Sequence, residues 1–446
     1  MNNYLACVPA SVLALAMSAA TFASDDGWVK PAALQLAPEV IALRHQIHQH
    51  PELGNQEFET SKLVATHLKA LGMEVRTGVA NTGVIGVLKG GKPGPVMALR
   101  ADMDALPVQE PTGLPFASVA RAQYQGKDVP VMHACGHDAH TAILLGAAKL
   151  LAEHRDQVAG TVVFLFQPAE EGGANIDNFT QGAQIGARQM IAQGALSTPK
   201  VDVIFGLHVM AGLPSGHIRY KPGPMLNSAD GLRITVSGQQ AHGSMPWAGS
   251  DPIVASAQMI TSMQTLVSRR ADLSQGMGVV TIGAINAGST GNIIPQNLSM
   301  LGTIRTNNEG IRNRILGELP PMIEHVAQAN GVEAKVEIAE YAPPVMNDKR
   351  LTQMMAASMK RAADGNAKLT PNFSAASEDF AHYAKAVPGL FVFLGATAPG
   401  QDMLKAPVNH SPLFTVDDDT LKTGVRAHVE FVLSYPLLAG LEGKKQ

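Results

Sequence analysis

The chain has 446 residues, of which 46% are hydrophobic and 16% charged. That balance excludes a disordered chain and supports a filled core, and the length suits two or three domains. The net charge is −3 and no Lys/Arg block stands out, which argues against nucleic acid as a partner.

The first segment, 5–23, is uncharged and mostly apolar and ends in small residues, SAATFASDD. It reads as a secretory signal over 1–23, cut near Ala23. MNNY carries no Lys or Arg, so a retained membrane anchor is the competing reading. No later stretch is long and apolar enough to span a bilayer. The expected location is therefore periplasmic or secreted, with no stable membrane insertion after cleavage. Cleavage removes Cys7 and leaves Cys135 without a partner for a disulfide.

The mature chain opens on a helical pattern at 38–50, broken by HPELGNQE, and a second helix is predicted at 60–71. The apolar runs TGVIGVL (82–88), PVMALR (95–100), TVVFLF (161–166), VDVIFGL (201–207) and GLFVFLG (389–395) read as buried strands. Helical stretches at 139–153 and 185–193 lie between them. Strands alternating with helices predict an α/β domain with a mostly parallel sheet flanked by helices. The middle differs. Strands at 232–238, 278–285, 297–306 and 334–341 alternate with helices at 251–269 and 309–329, in the order β-α-β-β-α-β of a ferredoxin-like unit. Pro-rich YKPGPMLNS and YAPPVMND flank it as hinges. The expected division is a catalytic domain in two parts, 24–225 and 339–446, interrupted by a ferredoxin-like α+β unit at 226–338.

Polar groups follow the outer strands. Asp102 and Asp104 come after PVMALR, Glu170 and Glu171 after TVVFLFQPA, and His208 after VDVIFGL, while HACGHDAH (133–140) precedes a helix. Ligands of open α/β sheets gather at the carboxyl ends of strands. Thiolate, imidazole and carboxylate are the donors that hold zinc and similar ions. Two adjacent carboxylates in one pocket repel, and a divalent cation lets one ligate while the other accepts a proton. Taken singly, the two glutamates read as a solvated turn, His67 and His154 as surface residues, and the Cys-x-His pair as a core cysteine beside a capping histidine. Together they favour a two-metal hydrolytic site. A nucleophilic Cys135, with His133 or His137 as base, leaves the carboxylates and His208 unexplained.

HQHPELGNQE, ALRADMDALPVQE, MHACGHDAHT, FQPAEEGGAN, GLHV, GQQAHGSMPWAGSDPI, GNIIPQ, GTIRT, SEDFAHY and NHSPLF follow one another over nearly the whole mature chain. In these motifs the chain resembles the M20 metallopeptidases, in the amidohydrolase branch of aminoacylases, hippurate hydrolases and auxin-conjugate hydrolases. The resemblance implies two divalent ions (Zn, Mn, Co or Ni) held by Cys135, His137, Glu171, His208 and His410, with Cys135 a candidate bridge. It implies Glu170 as general base, Asp104 as a support behind the ligands, and His242 as an oxyanion-stabilising group, often supplied by a partner subunit. Asn292 and Arg305 become substrate-positioning groups, Arg305 a possible carboxylate anchor. Asp102 stands where other branches carry a His ligand. His133, Asp138 and His140 of HACGHDAH are expected to support the ligands or the helix start. Trp247 and Ser377 depart from the branch's common residues and are expected to line or support the pocket. The implied protein is an exported metal-dependent amidohydrolase of N-acyl amino acids or related small amide conjugates, a homodimer through its lid unit. The alternatives are a dipeptidase or carboxypeptidase on the same scaffold, and a non-catalytic periplasmic binding protein.

Overall fold

Strands Gly83–Lys89, Lys92–Asp102, Ala159–Gln167, Val203–Pro214 and Gly389–Thr397 are buried over most of their length, as a sheet covered on both faces requires. The computed structural model, which describes residues 26–177, 179 and 185–442, places them in an eight-stranded sheet. The sheet order is Glu74–Val79, Gly83–Lys89, Ala159–Gln167, Lys92–Asp102, Val203–Pro214, Gly389–Thr397, Ile218–Tyr220 and Ala367–Leu369. Its four central strands, from Ala159–Gln167 to Gly389–Thr397, run parallel. The predicted mostly parallel α/β sheet is therefore present. The signal reading at 1–23 lies outside the described residues.

Side chains alternate across the sheet. Met97, Leu99 and Ala101 join one core with helices Val29–Gln49, His137–Glu153 and Leu421–Glu442. Ala98 faces the other core, with Gly186–Ala192 and Phe380–Ala386. Lys92–Asp102 is the topological switch point. The chain passes from it through His137–Glu153 to the strand on one side, and later places Val203–Pro214 on the other. Asp102, Gln167 and His208 lie on these three neighbouring strands, where a ligand cleft is expected.

A four-stranded antiparallel sheet, ordered Gly278–Ala287, Asn297–Thr306, Ala229–Ser237 and Glu333–Ala342, forms separately. Helices Pro252–Thr265 and Glu309–Ala329 close its core over Leu232, Ile234, Val236 and Met300. Strand Ala229–Ser237 alternates buried and half-buried residues, the pattern of a sheet with one covered face.

Several elements differ from the sequence reading, the first and last helices among them. The first helix starts at Val29, with Pro38 inside it, because Val29, Ala33 and Leu36 are buried against the main core. The C-terminal helix Leu421–Glu442 is absent from the reading. Among the described residues, no helix is long and apolar enough to cross a membrane.

Candidate active site

Cys135, His137, the two glutamates and His410 are presented by constrained turns. Gly136 takes φ +97° between Cys135 and His137, and a Cβ there would meet Val209 Cγ2 at 2.3 Å. Only glycine fits this left-handed, crowded position. Helix His137–Glu153 starts directly after it. Ala169 sits at φ +50° just before the two glutamates. Its N–H donates to Glu57 Oε1 at 2.8 Å, and Glu57 Oε2 accepts from Thr82 Oγ1 at 2.5 Å. A Cβ on Gly54 would stand 2.0 Å from Gly172 O. The HPELGNQE turn thus presses on the turn that carries Glu170 and Glu171. His410 takes φ +71°, and its N–H donates to Ala134 O at 2.8 Å. Asn409 pins the same loop through Nδ2 to Cys135 O (3.1 Å) and Val209 O (3.0 Å).

These turns gather Cys135, His137, Glu171, His208 and His410. Cys135 Sγ lies 3.3 Å from His208 Nε2 and 3.3 Å from His410 Nε2. His410 Nε2 is 2.8 Å from Glu171 Oε1. Two metal-capable trios result, Cys135–His137–His208 and Cys135–Glu171–His410, and Cys135 belongs to both. Glu170 forms a further trio with His137 and Glu171.

The donor set fits two divalent cations on its bonding as well as its composition. His137 Nδ1 lies 3.1 Å from Asp104 Oδ1, and its buried Nε2 has no hydrogen-bond partner among the described residues. A carboxylate behind one ring nitrogen leaves the other oriented for a metal. Asp104 also accepts the Glu171 N–H at 2.8 Å, so it steadies two donors at once. His208 Nδ1 lies 2.7 Å from Val209 O, which assigns its proton there and turns the Nε2 lone pair to Sγ. His140 is different. Its Nδ1 sits 2.6 Å from Asp102 Oδ1 and its Nε2 accepts the Val209 N–H at 2.8 Å, so neither nitrogen is free. Asp102 is also held by Arg100 Nη1 at 2.6 Å. Asp138 bonds Arg44 and His48, while His133 is buried and neither of its ring nitrogens has a partner among the described residues.

The electrostatics favour an added cation. Burial pushes the Cys135 thiol up, against His137 and His410, which pull it down. Burial, Glu378, Glu171 and Asp379 push Glu170 well above the usual carboxyl range. Hydrogen bonds to Cys135 and Glu171 raise His410 to about 10. A cation at this point would ionise the thiol and displace those protons.

Several groups in this network had no role in the sequence reading. Arg100 is fully buried and reaches Glu378 Oε1 at 2.8 Å and Asp379 Oδ1 at 3.0 Å. Asp379 N–H and Tyr341 O–H both donate to Glu170 Oε1, at 3.3 and 3.4 Å. Glu378 and Asp379 were visible within SEDFAHY and Glu57 at the end of HPELGNQE, yet nothing local marked their partners.

A cleft of about 660 Å³ opens above the donors. Arg305 and Tyr341 reach it from the four-stranded sheet, and Met210, Leu226, Phe393 and Val408 give it an apolar wall. Ser377 lines it, whereas Trp247 is 80% exposed and outside its lining. His242 and Asn292 also lie outside it. Both are exposed and neighbour each other, the Gly243 N–H donating to Asn292 O at 2.8 Å.

A family model described as peptidase family M20/M25/M40 matches residues 98–434. The chain belongs to this family. Within the M20 family it is similar to an N-acetyl-L-cysteine deacetylase of Bacillus subtilis, 38% identical over 86% of this chain and 85% of that protein. It is also similar to thermostable carboxypeptidase 2 of Saccharolobus solfataricus, 35% identical over 89% and 95% of the two chains. A solved structure of a dinuclear metal binding peptidase of the M20 family from Bacillus subtilis superposes with a TM-score of 0.72, at 33% identity, over 91% of this chain and 99% of that one.

Proposed function

We propose that this M20 chain is an exported amidohydrolase that cleaves N-acyl amino acids, or related small amide conjugates, to a carboxylate and a free amine. Its family membership makes it a metal-dependent hydrolase of amide bonds. The observation that carries the finer reading is one thiol shared by two ligand trios, with a buried carboxylate beside them and an arginine across the cleft.

Cys135, His137, Glu171, His208 and His410 would hold two divalent ions, which when bound supply Lewis acidity at the scissile carbonyl and ease ionisation of a water. Glu170 takes the water's proton and returns it to the leaving amine. Its elevated proton affinity suits the second half of that task. The Asp379 N–H and Tyr341 O–H fix one Glu170 oxygen and leave the other for the proton. Arg305 receives the substrate's carboxylate, and Met210, Leu226, Phe393 and Val408 receive the acyl group.

The exposed pair His242 and Asn292, beside exposed Met245, Trp247, Ile253, Val254 and Ile293, supports a homodimer through the four-stranded unit, with His242 serving the partner's cleft. The apolar 5–23 segment supports export. N-terminal sequencing of secreted material should begin near Ser24.

The test is chelation, then re-addition of Zn, Mn, Co or Ni singly, with N-acetyl and N-benzoyl amino acids and dipeptides as substrates. Loss and metal-specific recovery of acyl-amino-acid hydrolysis is expected. Full activity after verified metal removal would refute the mechanism. Preference for dipeptides would favour the second reading, a dipeptidase or carboxypeptidase, which the carboxypeptidase relative and a general carboxylate anchor support.

A further inference from the structure

Arg305 is a half-buried cation in the cleft wall with no ion-pair partner among the described residues. Among the described residues its one hydrogen bond runs from Nη1 to Ser377 Oγ, 2.9 Å, and no carboxylate lies within ion-pair distance. The acid that shares this wall, Asp230, is already engaged. Arg312 holds it through Nε at 2.9 Å and Nη2 at 2.6 Å, and Nη2 also reaches Glu340 at 2.8 Å. A partly desolvated guanidinium without a counter-ion is costly, and the cost is recovered when an anion arrives. Burial accordingly pulls the Arg305 pKa down despite Asp230 and Tyr341.

Ser377 also lines the cleft, just before helix Phe380–Ala386. The next two residues lie beside the base. Glu378 binds Arg100 Nη2 at 2.8 Å, and the Asp379 N–H donates to Glu170 Oε1 at 3.3 Å. Three consecutive residues therefore hold the cationic anchor by a side chain and the base by a backbone N–H. The serine hydroxyl occupies one N–H of the guanidinium and leaves the others for a carboxylate.

We propose that Ser377 is a specificity-determining positioning residue, whose hydroxyl orients Arg305 so that the cleft selects amides ending in a free carboxylate, at a spacing from Glu170 set by residues 377–379. The inference rests on the function proposed above, because it takes Arg305 as the carboxylate anchor. Arg305 carries the charge, so Ser377 acts only through it.

N-benzoylglycine and its primary amide separate the possibilities, assayed on the metal-loaded full chain. Ser377→Ala should raise KM for N-benzoylglycine about three- to tenfold with little change in kcat, as expected for one lost hydrogen bond. The preference for the acid over the amide should fall by the same factor, and Ser377→Thr should restore it. Binding of both compounds by calorimetry, in a Glu170→Gln background with and without Ser377→Ala, reads the same preference without turnover. An unchanged preference, or equal losses for acid and amide, would overturn the proposal. A wild type that hydrolyses neither compound would count against the function reading alone, since the binding ratio still decides the role of Ser377.

Discussion

Glu170 and Cys135 are both held away from their ionised forms by burial, and each should reveal its role when its charge chemistry is removed. Glu170→Gln preserves shape and removes the proton acceptor. Metal content per chain should stay at the wild-type level while kcat falls ~10²–10⁴-fold, read by elemental analysis beside a steady-state assay. Near-normal turnover would exclude Glu170 as the base. Cys135→Ser tests the shared position. Because Cys135 belongs to both trios, replacing its sulfur should weaken both sites. Elemental analysis after dialysis should show less metal per chain than wild type, and unchanged content would remove Cys135 from the donor set. Glu171 and His208 were legible because they follow predicted strands, Cys135 and His137 because HACGHDAH crowds a thiol among imidazoles before a helix, and His410 only through the family resemblance of NHSPLF. The residues that orient them were not. Arg100 occupies an apolar strand run, and its partners Glu378 and Asp379 are more than 270 positions away, so only the folded sheet brings them together.

At the scale of elements, the buried strands of the central sheet were legible because unbroken apolar runs bounded by turn residues have few other uses. Helix Leu421–Glu442 was not, because it is buried almost all round up to Ser434 and shows no amphipathic period. That burial has a measurable consequence at His428, whose ring packs edge-on to Phe205 and whose Nδ1 has no partner among the described residues. Burial holds the His428 pKa down to about 3, against 6.5 for the ordinary group. The folded chain keeps this histidine neutral where the unfolded chain has already taken a proton. Its contribution is therefore complete above pH 6.5 and is lost as pH falls from 6.5 toward 3, at roughly 1.4 kcal/mol per pH unit. Urea unfolding at pH 7 and pH 5 should show wild type losing roughly 2 kcal/mol more than His428→Leu over that interval. Equal losses would mean that His428 titrates alike in both states.

On the scale of the whole molecule, the cleft draws residues from both sheets, yet two residues grouped with it by motif stand elsewhere. Arg305 and Tyr341 reach the cleft from the four-stranded unit, while His242 and Asn292 sit exposed outside it. Motif order along a chain does not say which copy of the chain a residue serves. Exposed apolar side chains flank His242, including Trp247 at 80% exposure, and clustered exposed apolar surface marks interaction sites. If His242 completes the cleft of a partner, the two single defects belong to different sites. A dimer of one His242→Ala chain and one Glu170→Gln chain then contains one cleft with both defects and one with neither. Mixed dimers, separated by two affinity tags, should recover up to about half of wild-type activity per dimer, while each parent homodimer stays nearly inactive. If His242 served its own chain, every cleft of the mixed dimer would carry one defect and no recovery would occur. The outcome turns on geometry alone and is read from the ratio of mixed-dimer to parent activity at equal metal content.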